Sequence, residues 1–431
     1  YEQAPTYRRT LVLVDVGVDE AYLVDVFRVQ GGSDHVLSLH GQDGTFELTG
    51  PSLPPPVTEG TLAGPDVAYG ELYDDPVLGA PDYQGPFYSY HGSGYSHLFN
   101  WQSVVPSTVV TGQWTLSGEP AGVLRVHIAP YPGQELVVAD AYASPRRIIP
   151  AVLKYLLLRR VGSLDGNTFA VVWELASSPL IDQITVNEDP ALGLGKDRVV
   201  VLAIQRGSVT DTISVAPQPA VEQTISPTIT SDAAVTLLSR ENVQWGRRFA
   251  AGGTHLSATQ PDLAVTIPPT IRGPITAADY AARTLTADIG ALSVDGGTLA
   301  GSAVRLFNDT HSSLYTIGQA QLSGTSLTLT LAGSDVLTGR VNVGTIDYAT
   351  KSGTLGVTLM YPFSMAGMRL VTSDLAHTAR IASADDSGSF QLVQDADIGL
   401  FADDMAAGRD LWVADFGVGD QIEIERFAFG E

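Results

Sequence analysis

Cysteine is missing from all 431 residues. Disulfides and thiolate metal sites are therefore excluded. Charge is also scarce. Charged residues make up 16% of the chain, below the usual quarter, and 24 basic residues face 47 acidic ones. The resulting net charge of −23 argues against general binding to nucleic acid or anionic membrane, which need a basic footprint. No apolar run reaches membrane-spanning length, and the longest, around Ala151–Leu158, is interrupted by Lys154. No signal peptide, heptad run or internal repeat is visible. The chain opens at Tyr1 in sequence that already reads as structured, so an upstream N-terminus is expected.

Thr, Ser, Val, Gly and Ala fill the space that charge leaves, a mixture that favours strands and tight turns. Arg9–Val16 and Tyr22–Val29 alternate well, with turns at Gly17–Glu20 and Gly31-Gly32. Residues 50–86 are rich in Pro, Gly and Asp and read as a long ordered loop. Further strands are expected at Val109–Leu116, Gly122–Ala129, Glu135–Ala141, Phe169–Leu175, Ile181–Asn187, Val199–Arg206 and Asp211–Val215. Ala151–Val161 has the length of a short helix, but it feeds directly into Phe169–Leu175 and reads as a buried strand. The piece APQPAVEQTISPT reads as a loop, and two more strands are expected around Gln244–Ala250 and Thr254–Ala258.

From about Leu263 aromatics fall and short strands alternate with turns such as Asp295-Gly296-Gly297. The end, LWVADFGVGDQIEIERFAF, reads as a hairpin across Gly417–Gly419. The expected architecture is all-β. A large two-layer antiparallel sandwich, supersandwich-like and with its N-terminal strands incomplete, occupies residues 1–260. A smaller β-sandwich or barrel unit follows over 261–431, with a small barrel placed at 263–350.

The sequence holds no nucleophile elbow, zincin motif, phosphate loop, dinucleotide fingerprint or EF-hand loop. Its densest chemistry is GPFYSYHGSGYSHLFNWQ, residues 85–102. Tyr88, Tyr90, Tyr95 and Trp101 have faces for sugar rings, and His91, His97 or a tyrosine can pass protons. The competing reading is a packed strand face, since Tyr88 and Tyr90 are evenly spaced, and it carries more weight. His91 and His97 would lie about 20 Å apart on one strand and meet only if the chain turns at Gly92–Gly94. No third metal ligand is evident beside them. His35 and His40 are at odd spacing and so face opposite sides of a sheet. His127, His255, His311 and His377 read as structural. The arginine pairs Arg8-Arg9, Arg146-Arg147, Arg159-Arg160 and Arg247-Arg248 should each split across two faces.

YRRTLVLVDV, AYLVDVFRVQGGSDHVLSLHG, GPDVAYGELYDD, SGYSHLFNW and KYLLLRRVGSLDGNTFAVVWEL resemble the β-sheet region of bacterial heparinase II/III-like polysaccharide lyases. GSVTDTI, VRLFNDTHSSLYTI and VADFGVGDQIEI extend the resemblance along nearly the whole chain. It implies an α/α toroid upstream of a large sheet domain, and β-elimination of uronic-acid polysaccharides. A carboxylate is neutralised, a tyrosine or histidine removes the C5 proton, and the leaving oxygen is protonated. The family's catalytic Asn or His and Tyr lie in the toroid. Its further His and zinc ligands lie on earlier strands, and no position of this sequence matches them. The resemblance thus implies no catalytic or metal residue in this chain, and zinc only in a longer protein.

The expected function is that of a scaffold and cleft wall, inactive alone. Its partners would be an acidic polysaccharide (heparan sulfate, chondroitin, alginate or another uronate) and the toroid, in a secreted or periplasmic setting. This reading expects an open sheet edge with apolar surface at the first strands. A stand-alone carbohydrate-binding or adhesin-like protein would instead close its sheet at Tyr7–Val16 and expose a planar row of aromatics. An independent enzyme would bring His91, Tyr95 and His97 together.

Overall fold

The computed structural model describes residues 4–18, 20–75, 92–117, 122–143, 151–162, 166–176, 178–186, 196–292, 294–347, 349–355, 365–385 and 388–430. The chain divides into two compact units, residues 1–267 with 428–431, and residues 268–427. Almost all regular structure is strand, as expected. No helix of the described residues is long and apolar enough to cross a membrane.

The first unit opens with β1 (Thr6–Gly17), β2 (Glu20–Gln30), β3 (Asp34–His40) and β4 (Gly44–Thr49). After a long loop come β5 (Phe99–Val104), β6 (Val110–Leu116), β7 (Val123–Ile128), β8 (Glu135–Tyr142), β9 (Val152–Val161) and β10 (Asn167–Leu175). Then follow β11 (Gln183–Val186), β12 (Val200–Arg206), β13 (Val209–Val215), β14 (Gln223–Ser226) and β15 (Ile229–Ser231). The series ends with β16 (Val235–Glu241), β17 (Gln244–Ala251), β18 (His255–Thr259) and β19 (Asp262–Thr266).

Two six-stranded antiparallel sheets form the sandwich. The central one has the order β1-β2-β10-β7-β6-β4, and the second runs β11-β12-β13-β16-β17 and ends on Phe427–Gly430. Val24, Val26, Ala170 and Val172 pack between them against Leu202, Ile204 and Ile213. Each sheet carries a four-stranded sheet on its other side. Leu37, Leu39, Leu136, Leu156 and Leu158 of β3-β9-β8-β5 pack on the central sheet, and Ile225, Ile229 and Leu256 of β14-β15-β18-β19 pack on the second.

The central sheet is therefore covered on both faces, and β2 and β10 are buried almost without interruption. A strand buried on both sides has no solvent face for its charges, so each must find a partner. Arg28, 1% exposed, donates to Thr168 Oγ1 at 2.9 Å and to the Arg198 and Val215 carbonyls at 2.6 and 2.8 Å. Asp211 accepts from Tyr22 Oη at 2.7 Å, Ser239 Oγ at 2.6 Å and Arg206 Nε at 2.8 Å. Close packing also fixes a glycine: a Cβ on Gly41 would lie 2.5 Å from Trp114 Cγ.

β1 is the edge of the central sheet. Its even residues Thr10, Val12, Val14 and Val16 turn inward, while Leu11 and Leu13 are exposed. Among the described residues the first strand is thus an open edge with apolar surface.

In the second unit a barrel closes through Ile271–Asp279, Thr284–Asp288, Ser326–Ala332, Ser312–Ser323, Ala303–Phe307 and Gln421–Ile424. A seven-stranded sheet accompanies it. Two sequence expectations need correction here. The piece read as the loop APQPAVEQTISPT contains β14, a strand too short to show alternation, which forms by pairing with β15. The expected terminal hairpin does not form. Leu411–Ala414 joins the seven-stranded sheet, and Gln421–Ile424 joins the barrel. Alternation marks both as strands but names no partner. The turn between them is held instead by Asp420, which pairs with Arg369 and accepts from the Gly417 amide at 2.9 Å.

Glu174 gives this buried polarity a pH signature. Burial pushes its carboxyl up, but the nearby His127 ring, the Leu180 amide and Arg125 outweigh that and hold it below the usual carboxylate range. Its folded pKa is thus depressed, so its contribution to stability is present above the ordinary glutamate pKa and lost as pH falls through the folded value. Glu174→Gln should cost about 2 kcal/mol at neutral pH. The difference from the parent chain should shrink in acid, as read by urea unfolding at several pH values.

Candidate functional site

β3 alternates strictly. His35, Leu37 and Leu39 point to the core, while Asp34, Val36, Ser38 and His40 point out. The two histidines therefore face opposite sides, as their spacing requires. Both ring nitrogens of His35 are engaged, by the Gly31 carbonyl at 2.6 Å and by Asn167 at 2.8 Å. His40 lies against the Tyr155 ring, with centroids 4.6 Å apart. On β9 the alternation separates Arg159 from Arg160. Arg160 turns inward and donates to Gln134 at 2.7 Å and to the Thr168 carbonyl at 2.9 Å. Arg159 turns outward beside Asp34.

The loop after β4 runs across this outer face and is pinned along the segment leading into β5. The Val57 amide donates to the Trp101 carbonyl, Leu62 to Leu98 and Gly70 to Ser96, at 2.8, 2.8 and 3.0 Å. Gly94 sits at φ +72°, a conformation open to glycine without strain, and starts a single 3-10 turn, Tyr95–His97. That turn buries Ser96 and sends Tyr95 and His97 to one cavity of about 530 Å³. Tyr69, Tyr142 and Tyr155 line the same cavity, with Asp34 and Ser38 on its floor.

The polar centre is a triad of contacts. Arg159 grips Asp34 through Nε and Nη2, at 3.0 and 2.8 Å. Tyr95 Oη donates to Asp34 Oδ2 at 3.3 Å, and the Arg159 guanidinium lies 5.5 Å from the Tyr95 ring centre. Burial and the Asp34 charge push the Tyr95 hydroxyl up to about 12, against the opposing pull of Arg159. The hydrogen bond to Asp34 raises Arg159 despite its partial burial. Tyr95 is therefore protonated at neutral pH. It can donate a hydrogen bond and present its ring, but it is not poised to abstract a proton.

Of the residues expected from sequence, Tyr95 and His97 meet at this cavity. Trp101 does not line it; the side chain packs on the neighbouring apolar cluster of Leu98, Val137 and Leu157. Tyr88, Tyr90 and His91 lie outside the described residues, as do Arg146 and Arg147. Sequence reasoning missed Asp34, Tyr69, Tyr142 and Tyr155. They come from four separate stretches: the pairing of β3 with β9 and β9 with β8 brings Asp34, Tyr155 and Tyr142 together, and the pinned loop after β4 brings Tyr69. A weak signal was available in Arg159, already marked as one of a split pair.

A larger cavity of about 830 Å³ lies elsewhere in this unit, lined by Val199, Val201, Pro217 and Val221 without an aromatic ring. Among the described residues no group of three or more His, Asp or Glu is placed to hold a metal. Set against models of protein families and against curated proteins, the chain matches none.

Asp34→Asn leaves the burial that raises Tyr95 most and removes the charge that adds to it. The Tyr95 titration, taken as the phenolate absorbance difference from Tyr95→Phe, should move from about 12 back toward the ordinary 10.0. An unmoved titration would show that Asp34 does not govern this tyrosine.

Proposed function

We propose that this chain is the β portion of a heparinase II/III-like lyase acting on uronic-acid polysaccharides, and that the Tyr95 cavity forms part of its cleft wall. The observation that carries the reading is the meeting of tyrosine rings at one cavity, where Arg159 grips the lining residue Asp34 from beside it. Ring faces suit the apolar faces of sugars, and a guanidinium suits a uronate carboxylate bidentately. Asp34 holds Arg159, so a uronate has to compete for that guanidinium. The protonated Tyr95 suits binding better than proton abstraction, which fits a chain that is inactive alone and relies on a partner toroid. A polymeric, acidic substrate also fits a secreted or periplasmic setting.

A stand-alone carbohydrate-binding protein with a flat aromatic platform is less well supported. Tyr69 stands edgewise to Tyr142 at 87° and to His97 at 77°, which makes a walled cavity and not a plane.

The test uses a panel of uronate polysaccharides and follows the ultraviolet absorbance of the C4–C5 double bond that β-elimination creates. The chain alone should give no signal. Calorimetry should detect binding of uronate oligosaccharides, weakened about tenfold or more by Arg159→Ala and by Tyr95→Ala. Turnover by the chain alone would defeat the scaffold reading. Equal affinity in both variants would defeat the cavity assignment.

A further inference from the structure

The open edge of the central sheet is a second surface, independent of the cavity. β1 is 12 residues long and has only β2 as a strand neighbour among the described residues. Leu11 and Leu13 on its outward face are 55% and 71% exposed. Proteins guard such edges with proline, lysine, short strands or bulges. β1 contains neither proline nor lysine, its one register shift lies at its far end, between Asp15 and Gly17, and only there, among the described residues, does a side chain of the second sheet reach its backbone, Arg247 donating to the Asp15 carbonyl. Beside it the sandwich stands open. A groove of about 550 Å³ runs between β1 and Leu237, Phe249 and Phe429 of the second sheet. Every second N–H and C=O of β1 faces away from β2. Backbone groups bordering a continuation of the apolar interior are what an added strand requires.

The residues of β1 indicate which strand. Two copies can pair edge to edge about a two-fold axis perpendicular to the sheet. Such pairing is antiparallel and sets residues of equal parity opposite each other. Centred on Val12, it places Val12 against Val12, Leu11 against Leu13, Thr10 against Val14 and Arg9 against Asp15. Leucine meets leucine and Arg9 meets Asp15, while Arg8 falls opposite Val16. Moving the centre to Leu11 would set Arg9 against Leu13; moving it to Leu13 would set Asp15 against Leu11. Arg9 is also held ready. Its Nε donates at 2.8 Å to Asp25, which is fully buried, while 49% of the arginine side chain stays exposed.

We propose that two copies of this chain dimerise by antiparallel pairing of β1 with β1 about Val12. The two central sheets become one continuous sheet, and Val12 and Val14 of each copy are carried toward the open groove of the other.

The absence of cysteine makes the register directly readable. Sedimentation of the full chain at micromolar concentrations should show a dimer. Leu13→Lys, at an exposed position, should shift it to monomer by at least tenfold in dissociation constant while leaving the fold intact by circular dichroism. Mild oxidation of Val12→Cys should yield a covalent dimer, since directly opposed Cβ atoms lie about 4.5–5.5 Å apart, near disulfide reach. Thr10→Cys alone should yield none, but a mixture of Thr10→Cys and Val14→Cys chains should. A chain that sediments as a monomer throughout overturns the proposal, including one that binds a strand of another polypeptide at this edge. So does Thr10→Cys cross-linking as readily as Val12→Cys.

Discussion

The central sheet lies between two others, and this double burial governs the rest of the first unit. A sheet with one wet face can place its charges there. This one cannot, so Asp25, Arg28 and Glu174 each have a partner close at hand. Breaking any one of these pairings leaves a charge in an apolar interior, which costs more than the pairing gains. The buried polar groups therefore act as register marks. A one-residue slip of β2 would turn Asp25 and Arg28 to the wrong layers, where Arg9 and the Arg198 carbonyl are absent.

The same layering creates the candidate site. The four-stranded sheet uses one face to cover the central sheet, which leaves its other face for Asp34, Arg159 and the tyrosines. Because these side chains project from paired strands, their spacing is set by the ladder and only Tyr69, Tyr95 and His97 depend on loop or turn conformation. Asp34 does two jobs at once. It fixes the Arg159 guanidinium and keeps the Tyr95 proton in place.

Much of the fold was legible because period-2 alternation survives wherever one strand face is wet. β1 and β3 are of that kind, whereas Ala151–Val161 is buried along its middle and was legible as a strand only from its place before Phe169–Leu175. Alternation carries no information on partners. It could not show that Gln421–Ile424 leaves Leu411–Ala414 to close a barrel, nor that β14 forms at all. The site was legible only in part for the same reason. Tyr95 and His97 lie in one dense stretch, whereas Tyr142 and Tyr155 are single tyrosines in unremarkable sequence joined by strand order, and Tyr69 is brought in by a loop.

The ends of both units come from one short segment. Gln421–Ile424 closes the barrel, and Phe427–Gly430 completes the second six-stranded sheet. A ribosome delivers this segment after every other strand of either structure. Until it emerges, the barrel stands open between Ile271–Asp279 and Ala303–Phe307, and β17 lacks its neighbour. Pairings between residues so far apart in sequence are slow to form and leave strand edges uncovered meanwhile. Nascent chains of this protein must therefore pass through a late interval of adhesive, half-built sheets, and clipping this one segment would unfinish both units together.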